Sequence, residues 1–258
     1  MRRAETGGWL VELLGCGPYE ATYIPDAEII GFAFDSQVGV HAFGTSRKTA
    51  FAAKPNGLAY VPRGCDVNSQ SPYGGEYLKF TMVPAHETTV RCERRFSDVV
   101  DLPAICAAQQ LRSMLLSNTS IDPIELERWL LVLAGRAAHF LDGKSWQTRA
   151  GSWMTARRLK RIDELIEARL DGPMTVRELA AALGLSDGFF SRAFKAAIGQ
   201  APYQYIIDRR IARARSLLEN NGKDLSTIAQ ASGFTSHAHM TATFRNRLGV
   251  TPSQLRGN

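Results

Sequence analysis

The chain of 258 residues has few of the side chains from which metal and thiol sites are built. It contains four cysteines, none of them in a CxxC spacing, and five histidines. A metal site needs several such ligands converging on one ion. Residues 1–148 offer only His41, His86 and His139, without an HxH pair. His237 and His239 form such a pair, but on a helix for which another role is predicted below. We expect no metal and no cofactor.

Long apolar runs, targeting signals and catalytic motifs are also missing from the sequence. No apolar run reaches the roughly 18 residues that a membrane-spanning helix needs. The N-terminal segment begins with basic residues, but Glu5 and Glu12 interrupt it, so it does not resemble a signal peptide. Scattered cysteines fit a reducing compartment, and we expect a cytoplasmic protein that does not bind a membrane. We find no catalytic Ser-His-Asp order, phosphate loop or dinucleotide fingerprint, and expect no enzyme.

Charge is distributed unevenly along the chain. Residues 149–258 hold 17 Lys+Arg against 9 Asp+Glu, a net charge of +8, whereas residues 1–148 hold 14 against 16, a net charge of −2. The two values sum to the +6 of the whole chain. Such a difference in sign between the two halves indicates a polyanionic partner for the basic half.

The basic half contains an internal repeat of one helical pattern, over about 175–196 and about 224–247. Each copy reads as a short helix, a turn after glycine, and a second helix with apolar residues four apart. The members shared by the copies are Gly184, Phe190, Phe194 and Gly199 in the first, and Gly233, Met240, Phe244 and Gly249 in the second. Their offsets are 49 residues before the turn and 50 after it. The glycines suit the sharp turn because they adopt positive φ without strain.

Helix-start signals accompany both copies. Thr175 followed by Glu178 predicts a capping box, while Asp224 followed by Thr227 predicts a cap without the reciprocal bond. Each second helix has an apolar inner face and a polar outer face, a shape that can enter a major groove. The alternative is a pair of ordinary helical hairpins whose polar faces meet solvent.

The segment from about 157 to 256 resembles the DNA-binding domain of the AraC/XylS family of bacterial transcription regulators. The resemblance rests on "LGLSDGFFSRAFKAAIGQAPYQYI" (183–206), "RRIARARSLL" (209–218) and "GFTSHAHMTATFRNRLGVTPSQLR" (233–256). It implies seven helices, two of which are recognition helices held by one rigid joining helix. They are expected to read two successive major-groove segments about one helical turn apart.

The resemblance also places base contacts on the outer face of each recognition helix. The implied positions are Gly188, Ser191 and Arg192 in the first copy, and His237, Ala238, Thr241 and Ala242 in the second. Arg192 is the candidate for bidentate contact with guanine, because Gly188 has no side chain and Ala242 stands where the family usually has arginine. We interpret three further cations as phosphate contacts: Lys195, Arg245 and Arg247.

The first 100 residues contain short β-rich runs separated by Gly/Pro turns, a pattern typical of an antiparallel barrel or sandwich. The runs are "YEATYI", "EIIGFAF", "VGVHAF", "GLAYV" and "EYLKFTMV". The family resemblance implies a cupin-like barrel that binds an effector or mediates dimerisation. Inward side chains could line a ligand pocket or simply fill the barrel; the candidates are Phe32, Phe34, His41, Phe43, Tyr60 and Phe80.

Two helices are predicted after the barrel, over 103–116 and 123–141, the second starting with Asp122 as N-cap. The apolar face of the second helix could pack on the barrel of its own chain or form a dimer interface. We place a linker at 146–152 between an N-terminal domain (1–145) and the DNA-binding domain (153–258). The predicted fold class is therefore α+β: a cupin-like antiparallel β-barrel with two following helices, then an all-α domain with two helix-turn-helix units.

The predicted function is a sequence-specific transcription regulator that binds double-stranded promoter DNA and responds to a small-molecule effector. A homodimer is expected, with RNA polymerase as a further partner if the protein is an activator. Two alternatives stay open: a metal-free cupin enzyme fused to a DNA-binding module, and a nonspecific architectural DNA binder.

Overall fold

The computed structural model describes residues 2–82, 95–117, 120–143, 151, 153–219 and 222–256. The chain divides into two compact units, Met1–Trp146 and Gln147–Asn258. The predicted linker, 146–152, lies almost wholly outside the described residues. Within the described part of the chain, no helix is long and apolar enough to cross a membrane.

The N-terminal unit is built from antiparallel strands that form two sheets. The strands are β1 Arg2–Thr6, β2 Trp9–Leu14, β3 Tyr19–Tyr23, β4 Ile29–Ala33, β5 Gln37–Phe43, β6 Thr49–Ala53, β7 Gly57–Val61, β8 Val67–Ser71, β9 Tyr77–Met82 and β10 Phe96–Val100. The larger sheet has the order β1-β2-β9-β4-β7-β10, and the smaller sheet has the order β3-β8-β5-β6.

Strands β2 to β9 pair in a nested pattern that defines the architecture. β2 pairs with β9, β3 with β8, β4 with β7, and β5 with β6. This is one long hairpin wrapped into two facing sheets, the arrangement of a jelly roll, to which cupins belong. The predicted fold class is confirmed with one correction: the strands form two separate sheets and do not close into a continuous hydrogen-bonded barrel.

Half of the strands were not predicted from the sequence. β1 and β2 form a hairpin in register Thr6↔Trp9, joined by Gly7 and Gly8 at φ 52° and 80°. Positive φ at both central residues is what a tight hairpin turn requires, and a Gly-Gly pair is a recognised signal for it. The other unpredicted strands are β6, β8 and β10. β8 is "VNSQS", which is too polar to stand out as a strand.

Two helices, α1 (Leu102–Leu116) and α2 (Pro123–Leu141), follow the sheets as predicted. The Asp122 side chain accepts a hydrogen bond from the Ile124 amide, which confirms the predicted cap. α2 contacts β1, β4 and β7 of the larger sheet. It buries Leu126, Leu130, Leu133 and Ala137. Packing on its own sheet therefore accounts for the apolar face of α2.

Two ion pairs fix the helices of the N-terminal unit. Arg136 Nη2 of α2 lies 2.8 Å from Asp101 Oδ2, and Asp101 also caps the start of α1. Arg112 of α1 pairs with Glu76, whose side chain is buried in front of β9. Buried pairs of this kind fix geometry more reliably than they add stability.

The C-terminal unit is all α, with seven helices among residues 156–219 and 222–256. They are α3 Ala156–Ala168, α4 Val176–Ala182, α5 Asp187–Ile198, α6 Pro202–Glu219, α7 Leu225–Ala231, α8 His237–Leu248 and α9 Pro252–Arg256. Helix α3 buries Leu159, Ile162 and Ile166, the apolar stripe predicted from the sequence. These side chains join the inner faces of α4, α5 and α6 in one core.

Candidate nucleic-acid interface and interior cavity

The first helix-turn-helix unit, α4 and α5, begins with the predicted capping box. Thr175 Oγ1 accepts from the Glu178 amide at 3.3 Å, and the Thr175 amide donates to Glu178 Oε2 at 2.8 Å. The Thr175 amide, the Thr175 hydroxyl (2.8 Å from Glu178 Oε2) and Arg169 Nη1 (2.8 Å from Glu178 Oε1) favour the carboxylate and lower the pKa of Glu178 to about 2. Gly184 makes the turn at φ 68°, and Ser186 caps α5.

The second unit, α7 and α8, reaches the same shape with different bonds. Asp224 accepts from the amides of Ser226 and Thr227 at 2.9 and 3.0 Å, and from the Thr227 hydroxyl at 2.6 Å. The Thr227 bonds lower the pKa of Asp224. Gly233 makes the turn at φ 79°, and Ser236 caps α8.

The inner faces of the two second helices are buried as the repeat predicted. Phe190 and Phe194 on α5 are fully buried, as are Met240 and Phe244 on α8. The Phe194 ring also meets the Tyr205 ring of α6, with centroids 5.4 Å apart. This packing leaves the opposite face of each helix free of core contacts.

Helix α6 joins the two units. It contacts α5 of the first unit and α7 of the second. Arg210, which is only 9% exposed, donates from Nε to the Leu170 carbonyl (3.2 Å) and from Nη2 to the Gly172 carbonyl (2.7 Å). A side chain added at Gly233 would lie 2.7 Å from Arg210 Nε. One buried guanidinium thus braces the end of α3 beside the turn of the second unit.

The structure places the predicted DNA-contacting residues on the outer faces of α5 and α8. Seven of these nine residues are exposed and two are half-buried. The exposed ones are Gly188, Arg192, Lys195, Ala238, Ala242 and Arg245, with His237 also exposed at the start of α8. The half-buried ones are Ser191 and Thr241. The Thr241 hydroxyl oxygen is buried without a hydrogen-bond partner, so it does not reach the surface in this conformation.

Exposed cations on these faces are available to a polyanion. Within the described ranges, no carboxylate pairs with Arg192, Lys195 or Arg245. Arg247 behaves differently, because its Nη2 lies 3.0 Å from Asp208 Oδ1 and its side chain is three-quarters buried. The interpretation of Arg247 as a phosphate contact is corrected: it holds α8 against α6.

One contact at this surface was not foreseen. The Trp153 ring meets the exposed Phe189 ring of α5 edge-on, with centroids 5.4 Å apart. The Arg158 guanidinium lies 3.8 Å from the Trp153 ring centroid, and its Nη1 donates to the Trp153 carbonyl at 2.7 Å. The sequence contains no local signal for this contact, because Trp153 and Phe189 are 36 residues apart along the chain.

The N-terminal unit holds a cavity of about 610 Å³ between its two sheets, and this cavity is partly open to solvent. Small side chains on the inner face of the larger sheet leave this room: Ala33, Gly57 and Ala59. Tyr77 also fits against this face, because a side chain at Gly31 would meet its hydroxyl at 1.7 Å. Burial raises the pKa of Tyr77, whose accessible surface faces the cavity.

Three of the six candidate ligand-binding residues line this cavity. They are His41, Phe43 and Tyr60. Phe34 does not, because it follows β4 on the opposite side, where its ring meets Phe32 at 5.1 Å and the Arg112 guanidinium at 4.7 Å. Phe32 and Phe80 are fully buried away from the cavity as well. The candidate set therefore divides between a cavity layer and a layer that supports the helices.

The paired units and their joining helix define a helix-turn-helix DNA-binding domain. Residues 179–258 match the family described as helix-turn-helix domain. The C-terminal part is 35% identical over 92 residues to the transcriptional regulator ArgR of Pseudomonas aeruginosa. It is 33% identical over 95 residues to the probable transcriptional regulator LumQ of Photobacterium leiognathi. A solved AraC-type regulator structure from Chromobacterium violaceum is 33% identical, with 42% of this chain and 95% of that chain covered and a TM-score of 0.38.

The C-terminal domain is therefore similar to the DNA-binding domains of bacterial transcription regulators, in agreement with the resemblance to the AraC/XylS family drawn from the sequence. The matches to ArgR and LumQ cover 36% and 37% of this chain, and the chain spans 28% and 38% of the length of those relatives.

Proposed function

We propose that the protein is a sequence-specific, effector-responsive transcription regulator that acts on promoter DNA in the bacterial cytoplasm. The observation that carries this proposal is the pair of capped helices, α5 and α8, held by α6 with their polar faces exposed. Recognition helices of this kind insert into the major groove, and two of them on one rod can read two successive segments. The +8 net charge of residues 149–258 favours a nucleic-acid partner.

The recognition helices α5 and α8 are proposed to make different kinds of contact with DNA. Arg192 contacts guanine bidentately, while Lys195 and Arg245 contact phosphates and position the domain. The second helix offers short side chains, Ala238 and Ala242, that suit contact with thymine methyl groups. Because the Thr241 hydroxyl is buried, Thr241 contributes shape or its methyl group rather than a hydrogen bond.

In-vitro selection of DNA ligands with the full chain tests this function. The expected product is a pair of conserved segments about 10 base pairs apart, centre to centre. Competition at fixed salt between selected DNA and bulk DNA then measures specificity, for which a regulator reaches about 10³-fold or more. Comparable affinities for both DNAs would favour the architectural alternative instead.

The N-terminal unit is proposed to bind the effector and to mediate dimerisation. The cavity between the sheets is the effector site, since its size falls in the range of about 300–1,000 Å³ that holds small ligands. Helix α2 also exposes Ile124 (77%) and Leu131 (54%) on the face turned away from its sheet. An exposed apolar stripe favours a second copy of the chain as partner. Sedimentation of the full chain measures this association, and a double Ile124→Glu, Leu131→Glu variant is expected to be monomeric.

Effector binding is proposed to change how the DNA-binding domains are presented, which requires different effector affinities in two states. RNA polymerase is the further partner if the protein activates transcription. The enzyme alternative predicts turnover of a metabolite by the full chain, whereas a regulator binds its effector and releases it unchanged.

A further inference from the structure

The cavity of the jelly roll has a chemistry specific enough to indicate its ligand. We infer that it binds a small aromatic monocarboxylate, with the carboxylate on Arg95 and the ring against His41, Phe43 and Phe51. This inference rests on the proposed function only in taking the cavity as the effector site.

The space suits a ligand of one or two rings. A cavity of about 150 Å³ holds a benzene molecule, and this one measures about 610 Å³. The larger sheet contributes a floor of small side chains, and the smaller sheet contributes the rings of His41, Phe43 and Phe51. A flat ligand can therefore lie on one sheet with its face toward the rings of the other.

The ring layer is ordered by stacking. The His41 and Phe51 rings are nearly parallel, with an interplanar angle of 9° and centroids 4.9 Å apart. Phe43 meets His41 edge-on at the same centroid distance. Aromatic pairs gain from offset and edge-to-face geometry beyond the area they bury, and a further ring can extend such a stack. Burial and the nearby Arg95 lower the pKa of His41, which favours the uncharged imidazole in the stack.

The charged side chains at the cavity include one cation, Arg95, for which no carboxylate partner is found in the described ranges of the N-terminal unit. Lys79 Nζ lies 3.3 Å from Glu12 Oε2 and forms an ion pair. Asp98 Oδ1 accepts from the Lys54 amide at 3.1 Å. Burial raises the pKa of Asp98, and the Lys54 amide and charge oppose this rise. Arg95 stacks on the Phe43 ring at 4.2 Å and has no carboxylate partner among residues 2–82, 95–117 and 120–143. One ion pair, one carboxylate beside Lys54 and one guanidinium without a carboxylate partner in those ranges leave a net positive charge, which fits a ligand with a single negative charge.

Arg95 is also placed to select a carboxylate. Arg95 is exposed at the cavity, where its planar guanidinium lies over the Phe43 ring. The edge of that guanidinium offers paired N–H donors that match a carboxylate. The same ring lies beside the aromatic stack, so a carboxylate held by Arg95 places an attached ring against His41. A β-bulge between Phe96 and Val99 follows Arg95, and Asp98 within it has φ 59°. Bulges re-aim side chains next to binding sites.

Calorimetric titration of the full chain with three probes tests the ligand class. The probes are 2-naphthoate, the neutral 2-naphthamide, and octanoate, which keeps the carboxylate but lacks the ring. We expect 2-naphthoate to bind about tenfold more tightly, or more, than either comparison compound. Equal binding of the amide would remove the role of charge, and equal binding of octanoate would remove the role of the ring. Absence of 2-naphthoate, benzoate and phenylacetate binding would overturn the inference altogether.

Two substitutions locate the anchor. Arg95→Met keeps an unbranched stem and removes the charge, so 2-naphthoate should bind about tenfold more weakly while 2-naphthamide is unaffected. Arg63→Met changes an exposed arginine of the same unit that does not line the cavity, and it should leave both affinities unchanged. Unchanged 2-naphthoate affinity in a folded Arg95→Met variant would contradict the assignment of the anchor.

The ligand titration and the DNA selection experiment test the two proposals separately. DNA selection is carried out without any probe, so a chain that selects paired segments but rejects aromatic acids retains its regulatory assignment and loses this ligand class. A chain that binds 2-naphthoate through Arg95 but does not select DNA gives the opposite result.

Discussion

The two helix-turn-helix units share a scaffold but differ in how it is held and in what it presents. Both have a side-chain cap, a glycine turn at positive φ and a second helix with two buried residues four apart. The caps differ, since the first unit has a reciprocal Thr-Glu box and the second has one aspartate with three donors. The repeat therefore preserves geometry, while the bonds that produce the geometry vary.

The turn glycines differ in what surrounds them. A side chain at Gly184 would meet nothing within 4 Å, so only its φ of 68° requires glycine. A side chain at Gly233 would lie 2.0 Å from the Leu170 carbonyl oxygen. The second turn is packed against the end of α3 and the first is open, although the two look alike in sequence.

The reading faces differ in charge. Arg192 of α5 corresponds to Ala242 of α8, so the long cationic side chain at this position exists only in the first unit. Arg192 Nη1 lies 3.5 Å from where a side chain at Gly188 would begin, one turn earlier on the helix. Under the proposed function, this difference would place most hydrogen-bonded base readout in the first unit.

The largest effect is expected from Gly233→Ala compared with Gly184→Ala. Gly233→Ala combines a positive φ with a clash against backbone and should lower the free energy of unfolding by about 3–5 kcal/mol. Gly184→Ala adds only the left-handed backbone strain, about 1–2 kcal/mol. Urea denaturation of the full chain, followed by far-ultraviolet circular dichroism, measures both. Equal losses would mean that the second turn relaxes and that the difference between the units is superficial.

Removal of the brace is expected to have the next largest effect. Arg210→Met leaves the Leu170 and Gly172 carbonyls without their guanidinium donors and should lower the free energy of unfolding by about 2–3 kcal/mol. Arg213→Met, an exposed arginine on the same helix, should change it by less than about 0.5 kcal/mol. Hydrogen exchange in the Arg210 variant should rise most around α7, beside Gly233. A uniform rise across both units would contradict a brace specific to the second.

A third comparison concerns DNA. Arg192→Ala should lower discrimination between selected and bulk DNA by about 1–3 kcal/mol, because it removes a bidentate base contact. Lys195→Ala should weaken binding to both DNAs alike and reduce the salt slope by about 1, as expected for a phosphate contact. Ala242→Gly in the second unit should change discrimination less than Arg192→Ala. Equal losses of Arg192→Ala on both DNAs would refute its role as a base reader.

The features that the sequence predicted correctly are those set by interactions between residues close together in the chain. The capping box at Thr175, the turn glycines and the apolar pairs four apart involve residues within one or two helical turns, and the structure confirms each of them. Helix α2 was predicted within its observed bounds for the same reason, because its N-cap, N1 proline and apolar stripe are all local signals.

The features that were missed depend on distant partners. Strand β8 is polar and owes its place to pairing with β3 and β5. Arg247 was interpreted as a phosphate contact because sequence cannot show that Asp208 reaches it from another helix. Phe34 was grouped with His41 by alternation alone. Phe34 lies just after β4, whereas His41 lies in β5 of the smaller sheet, and alternation does not tell which face lines the cavity.

The smallest effect is expected on acidification, and it sharpens the difference between the caps. The pKa of Glu178 is lowered in the folded chain to about 2, because the Thr175 amide and hydroxyl and the Arg169 guanidinium favour the carboxylate. A lowered pKa contributes stability that is present above the unfolded value and is lost as pH falls toward the folded value. Amide protection factors in the first turn of α4, which correct for the intrinsic pH dependence of exchange, should therefore fall as pH falls from about 4.5 to about 2. Glu178→Gln should remove most of this dependence, and Glu164→Gln, an exposed glutamate of α3, should preserve it. If acid instead loosened α7 first, the aspartate cap would be the more pH-sensitive of the two.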